Sequence, residues 1–242
     1  MKAMILAAGL GTRLRPITNN TPKPIIPVGD RPLIEYLLLL LKKYGIKDII
    51  INLHHLGEKI EKALGDGSRW GIRISYSWEE TILGTGGGIK KAQAFLSDSA
   101  FLVINGDILI DLDLRDLLGF HSEHGGIATM VLRENDNPEL YGPVKIDNDA
   151  RIRQILDKPE CPGMDLRSYM FAGIHVIEPE IFQYVPDGQF YSIIDTYTEM
   201  IMKNEEIYGY LMKGPWSDLG TIEGYRKIND DKRKGLIRLS YL

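Results

Sequence analysis

The first apolar stretch of the chain runs into a glycine-rich segment, Leu6-Ala7-Ala8-Gly9-Leu10-Gly11-Thr12-Arg13-Leu14-Arg15-Pro16. Glycine carries no Cβ, so backbone N–H groups in such a loop can converge on an anion, and Arg13 adds a positive charge beside it. A tight turn would by itself account for one glycine pair. Two familiar phosphate loops do not fit. A P-loop ends in Gly-Lys-Ser/Thr, which is absent here, and a dinucleotide fingerprint needs a small residue where Leu14 stands. Lys23 follows in Thr21-Pro22-Lys23-Pro24, between two prolines that restrict the backbone on either side. A stiffly mounted ammonium near an anion loop suits stabilisation of phosphate charge that builds up in a transition state. Taken alone, the segment reads more simply as an exposed lysine in a proline-rich turn. Asp107 ends Asn105-Gly106-Asp107, and Asp218 lies in Trp216-Ser217-Asp218-Leu219-Gly220-Thr221. Mg²⁺ is commonly held by one or two carboxylates plus substrate phosphates, so each aspartate is half of such a site. Spacing alone does not establish that they meet.

The elements that must position these residues alternate in type. Met4–Ala7 reads as a buried strand and residues 8–31 as a loop. Pro32 opens a helix at its preferred first-turn position, and Gly45 closes it. Ile46–Leu53 reads as a strand, Glu58–Leu64 as a short helix, and Ile72–Trp78 as a strand by its alternation. A helix over 86–96 and a strand over 100–104 complete a run that predicts an α/β fold, a Rossmann-like mixed, mostly parallel sheet with helices on both faces. In such sheets ligands sit beyond the carboxyl ends of the strands, where both the glycine loop and Asp107 fall. The second half is less regular. Strands are expected at 127–133, 171–177 and 207–212, with a hairpin of 144–147 and 151–156 about Asn148-Asp149. Helices are expected at 179–185, at 193–203 and from Ile222, and residues 214–220 read as a loop. The expectation is one domain over 1–242 whose second half elaborates on the first.

Composition narrows the classes further. The chain has 242 residues, 44% hydrophobic and 26% charged, with a formal net charge of −4, so no overall basic field attracts nucleic acid or an anionic membrane. Cys161 is the single cysteine, which excludes an internal disulfide and points to a reducing compartment. No signal-peptide pattern opens the sequence, and the apolar run Leu33–Leu41 is too short to span a bilayer. A cytoplasmic location is the expectation, with monomer and homodimer both open. His54 and His55 have no cysteine or carboxylate cluster nearby and read as structural.

Five segments together carry a resemblance. LAAGLGTRLRP (6–16), TPKPIIPV (21–28), LGTGGG (83–88), NGD (105–107) and WSDLGT (216–221) fall in the order found in the sugar-1-phosphate nucleotidyltransferases and cover nearly the whole chain. The resemblance implies that Leu6, Ala7, Ala8, Gly9, Gly11 and Thr12 contact the nucleotide, with Gly84 and Thr85 against its base. It makes Arg13 the residue that neutralises the departing phosphates and Lys23 the one that binds the reacting phosphates. Asp107 and Asp218 become the holders of a catalytic Mg²⁺. For the sugar phosphate it implies Gly142, in Tyr141-Gly142-Pro143-Val144, together with Asp157 and Lys158 of Asp157-Lys158-Pro159, and Gly173. Asp157 replaces the more usual glutamate, which keeps the charge and shortens its reach. On this reading residues 1–125 form mainly the nucleotide half and 126–242 mainly the sugar-phosphate half.

The implied substrates are an NTP and a sugar 1-phosphate. A length of 242 residues makes the absence of the repeat domain of bifunctional acetyltransferase members the expectation. Together with LGDGSRWGI (64–72), FAGI (171–174) and YSIIDTY (191–197), it resembles the small uridylyltransferases that act on N-acetylmuramate 1-phosphate. Guanylyltransferases acting on mannose or heptose 1-phosphate are also similar. Glu79 and Glu80 could accept from guanine N1 and N2, but uracil N3 offers a donor too. Two other classes are weighed. A non-catalytic nucleotide-sugar sensor would lose a charged position, yet Arg13, Lys23, Asp107 and Asp218 are all present. A nicotinamide-dependent oxidoreductase would need a small residue at Leu14 and an acidic one at Leu53.

Overall fold

A computed structural model describes residues Met1–Leu242. The chain divides into two compact units: Met1–Ile82, Ile104–Leu112 and Gly214–Leu242 form the first, and Leu83–Val103 and Asp113–Lys213 the second. The sheets are mixed and flanked by helices, so the α/β class expected from the alternation is the one observed.

In the first unit, strands Lys2–Leu6, Asp48–Leu53 and Arg73–Trp78 pair in parallel, with Lys2 opposite Asp48 and Asp48 opposite Arg73. Ala3, Met4 and Ile5 are fully buried, as are Ile49, Ile51 and Leu53, which is why these stretches are continuously apolar. Helix Leu33–Lys43 buries Leu33, Ile34, Leu37, Leu38, Leu40 and Leu41, a stripe wide enough to read as a crossover helix, and Gly45 follows at φ +76°. Residues 8–31 are not a featureless loop. They hold short 3-10 turns at Thr12–Leu14, Ile17–Asn19 and Lys23–Ile25.

One pairing in this unit escaped sequence reasoning. Trp216–Asp218 lies in the stretch read as a loop, yet it forms a short strand antiparallel to Ile108–Ile110, with Asp218 opposite Ile108. Three residues carry no readable periodicity, so only the partner defines the strand. Helix Ile222–Arg233 follows, capped by Thr221, whose Oγ1 accepts from the Gly224 N–H. Val28, Leu33, Tyr36, Leu109, Leu219 and Ile228 form one apolar cluster beneath this pairing.

In the second unit, strand Arg167–Ile177 pairs antiparallel with Pro143–Ile146 through its first half and with Ala128–Arg133 through its second. Ile207–Leu211 runs parallel to Ala128–Arg133, and Ile152–Ile155 completes the expected hairpin with Pro143–Ile146. The register slips between Phe171 and His175, a bulge that contains Gly173 at φ +83°. A helix at Leu114–His124, N-capped by Asp113, was not anticipated. The helix expected over 86–96 is two shorter ones, Gly84–Lys91 and Gln93–Leu96. Gly86 and Gly87 let the first of these close on the backbone before helix Ile193–Met202. A Cβ on Gly87 would stand 2.5 Å from the Gln189 carbonyl oxygen.

Candidate active site

Four charged side chains come together in the first unit. Lys23 stands in a 3-10 turn with Pro22 as its N-cap and Pro24 inside it, so the prolines aim the side chain as well as stiffen the segment. Its Nζ donates to Asp107 Oδ2 at 2.6 Å and lies 3.8 Å from Asp218 Oδ1. The two aspartates are therefore neighbours, although 111 positions separate them (218 less 107). The strand pairing explains this. Asp218 sits opposite Ile108, and the Leu219 N–H donates to the Asp107 carbonyl at 3.0 Å. Lys23 and Asp218 side chains are 11% and 12% exposed and Asp107 34%, so the group is shielded from bulk water on most sides and open at Asp107. Ion pairs in that setting are screened less than surface ones.

Two glycines make the approach possible. A Cβ on Gly220 would sit 2.7 Å from Asp218 Oδ2 and 3.2 Å from Arg13 Nη1, so carboxylate and guanidinium both close over Gly220. A Cβ on Gly106 would meet the Leu6 carbonyl oxygen at 2.6 Å, and the Gly106 N–H donates to that oxygen at 2.9 Å. Asp107 is thereby locked to the end of the first strand, where the glycine loop starts. Gly11 takes φ +63° and Gly9 has open space around its missing Cβ. Leu6, Ala7 and Ala8 are largely buried, whereas Gly9 and Thr12 are exposed. The Ala7 N–H points inward and donates to Asn52 Oδ1 at 2.7 Å, so it is not among the loop donors open to an anion.

The other residues singled out from the sequence lie in the second unit. Gly84 takes φ +70° and a Cβ there would stand 2.6 Å from the Tyr191 carbonyl oxygen; Thr85 Oγ1 accepts from the Ile193 N–H at 2.9 Å. Both therefore have packing roles as well as any ligand role. Leu156 and Asp157 both adopt positive φ in the turn after strand Ile152–Ile155, and Asp157 Oδ1 pairs with Lys145 Nζ at 2.6 Å. The Lys158 N–H donates to the Ile155 carbonyl at 3.1 Å, which folds Lys158 back over that strand end. Gly142 lies against Leu156, whose side chain would clash with any Cβ there. Lys145 escaped sequence reasoning, although its place between Val144 and Ile146 in an alternating strand gave the outward direction. Asn52 and Thr18 escaped it too; Thr18 Oγ1 donates to the Gly11 carbonyl at 2.8 Å. For Asn52 the signal was one polar residue inside the apolar strand Asp48–Leu53.

A glycine loop, a paired lysine and two neighbouring carboxylates thus stand together in the first unit. The nucleotidyl transferase family model matches residues 2–235. The chain belongs to the nucleotidyl transferase family. Among its relatives, a UTP–glucose-1-phosphate uridylyltransferase of Synechocystis is 39% identical over 93% of this chain, and a mannose-1-phosphate guanylyltransferase of Mycobacterium tuberculosis is 34% identical over 97%. An N-acetylmuramate alpha-1-phosphate uridylyltransferase of Neisseria meningitidis serogroup B is 38% identical over 92% of this chain. The chain spans 61% and 65% of the length of the first two relatives and 94% of the third. No helix of this family member is long and apolar enough to cross a membrane.

Proposed function

We propose that the protein transfers a nucleotidyl group from an NTP to a sugar 1-phosphate, releasing pyrophosphate. The observation that carries this is the Lys23–Asp107–Asp218 group with Arg13 beside it, at the end of the strand that opens into the glycine loop. The nucleophile is an oxygen of the sugar phosphate. It forms a bond to the α-phosphorus while the bond from that phosphorus to the oxygen bridging the β-phosphate breaks, and pyrophosphate takes the electron pair. The attacking oxygen is already anionic, so no general base is needed, and the work left to the protein is positioning and charge stabilisation. Arg13 and Lys23 offset the charge of the triphosphate. In the second unit, Lys158, Asp157, Gly142 and Gly173 are the residues proposed for the sugar phosphate, and Gly84 and Thr85 for the base.

A divalent cation belongs to this reading. Asp107 and Asp218 both lie within 4 Å of the Lys23 ammonium nitrogen, and hard carboxylate oxygens suit Mg²⁺. When bound there, Mg²⁺ supplies further neutralisation of the reacting phosphates. Asp107 and Asp218 would hold it.

For the specific substrates we favour UTP and an N-acetylmuramate-type sugar 1-phosphate. The relative named for that reaction matches over nearly the full length of both chains. A GTP-dependent mannose-1-phosphate reaction is the second reading, supported by the similarity to the Mycobacterium tuberculosis guanylyltransferase. Glu79 is buried and accepts from Asn52, and as an acceptor for a base N–H it would suit uracil and guanine alike. The experiment is pyrophosphate release with Mg²⁺ across the common NTPs and a panel of sugar 1-phosphates. Release with UTP and N-acetylmuramate 1-phosphate is expected. Release only with GTP would move the assignment to the second reading, and silence with every pair from folded protein would favour a non-catalytic sensor.

A further inference from the structure

Buried polar side chains are few in the first unit: Thr18, Asn52 and Glu79, at 1%, 3% and 3% exposure. All three connect to the glycine loop. Thr18 Oγ1 donates to the Gly11 carbonyl, near the loop's far end. Asn52 Oδ1 accepts from the Ala7 N–H at 2.7 Å, at its near end, while Asn52 Nδ2 donates to Glu79 Oε1 at 2.7 Å. The Glu79 main chain is fixed as well. Its N–H donates to the Leu53 carbonyl at 2.8 Å, and its own carbonyl lies 2.9 Å from His54 Nδ1.

An amide and a carboxylate in a core cost free energy that an apolar pair of similar size would not, so fold stability alone gives no reason for them. Their geometry gives one. Asn52 is the penultimate residue of strand Asp48–Leu53 and pairs with Leu6, the last residue of the first strand. Its amide thus stands where the first strand becomes the loop. By taking up the Ala7 N–H it fixes the orientation of that peptide, and with its other end it fixes the Glu79 carboxylate.

We infer that Asn52 is a positioning residue for the nucleotide. It ties the start of the glycine loop to Glu79, so that nucleotide affinity and the choice of base depend on a side chain buried behind the loop. This rests on the reading above that the loop binds a nucleotide. The Asn52 amide bridges the two, its oxygen taking the Ala7 N–H and its nitrogen donating to the Glu79 carboxylate.

The test uses the whole chain with Asn52→Leu, and with Asn52→Asp both alone and combined with Glu79→Gln. Asn52→Leu removes both hydrogen bonds. Asn52→Asp keeps the acceptor for Ala7 but sets two carboxylates together. The double variant restores the second bond with donor and acceptor exchanged. Nucleotide affinity is read by calorimetry with UTP and GTP in the absence of sugar, and KM is read for both substrates. Asn52→Leu is expected to weaken UTP binding about tenfold or more, the scale of one buried hydrogen bond, and to change the UTP-to-GTP ratio, with the sugar 1-phosphate KM within about twofold. The double variant is expected to bind UTP more tightly than Asn52→Asp alone. Parental affinity and base ratio in a folded Asn52→Leu would overturn the inference. So would equal losses in both substrates' KM, which mark general softening of the fold. If Asn52→Leu does not fold, the Asp variants decide: a double variant binding no better than Asn52→Asp overturns it. A parental protein that binds neither UTP nor GTP would instead bring down the nucleotide reading, and this inference with it.

Discussion

Lys23 has a carboxylate on each side of its ammonium, Asp107 at 2.6 Å and Asp218 at 3.8 Å, and its side chain is only 11% exposed. A cation so placed has two effects. It holds the carboxylates together in the folded protein, and in the proposed reaction it faces the charge that develops on the phosphates. Removal of one preorganised transition-state donor typically costs about 10²–10³ in kcat. Lys23→Ala is therefore expected to lower kcat for pyrophosphate release by about that factor. A folded variant that turns over at the parental rate would take Lys23 out of the chemistry.

At the scale of elements, the aspartates are placed by one short antiparallel pairing and by the turn that precedes it. Gly106 belongs to that turn, and its missing Cβ leaves the Leu6 carbonyl free to approach. In Gly106→Ala the added carbon would lie 2.6 Å from that oxygen, and the oxygen is main chain, so it cannot swing aside as a side chain would. The strand end and the turn must separate, and Asp107 moves with the turn. Overpacking of this kind costs about 1–3 kcal/mol, and the displaced carboxylate should lower activity further. Denaturant unfolding and pyrophosphate release measure the two effects. A variant with parental stability and rate would show that the close approach is not needed.

For the whole molecule, the clearest consequence of packing concerns acid. His175 is buried in the bulged strand Arg167–Ile177, with Nδ1 2.6 Å from the Tyr197 hydroxyl and no hydrogen-bond partner at Nε2. Burial pushes its imidazole down to about 3 from 6.5. Between those values the unfolded chain binds a proton that the folded one refuses, so folding stability falls as pH falls from about 6.5 towards 3 and is unaffected by this group above that window. The loss is at most ~1.4 kcal/mol per pH unit. Melting temperature measured from pH 7.5 to 4.5 should show the decline, with a shallower slope in His175→Phe. Equal slopes in the two proteins would mean that His175 titrates normally.

Much of this architecture was legible in the residues. The continuous apolar runs around Ile5, Ile50 and Val103, alternating with amphipathic or glycine-bounded stretches, imply a layered α/β fold, because period and burial follow from local sequence. The same local logic picked out Arg13, Lys23, Asp107 and Asp218 as chemically suited residues. It missed helix Leu114–His124, although Asp113 offers a cap, because the buried stripe of Leu114 and Leu117 continues in the polar His121. It missed strand Trp216–Asp218 because three residues carry no period. What the sequence could not decide was proximity. That Asp218 lies beside Asp107 depends on a pairing between segments 111 positions apart (218 less 107). That Asn52 meets both Ala7 and Glu79 depends on the stacking order of three parallel strands. Sequence sets which side chains are chemically able. Only the tertiary structure, through main-chain pairing and the space glycine leaves open, sets which of them stand within a hydrogen bond of one another.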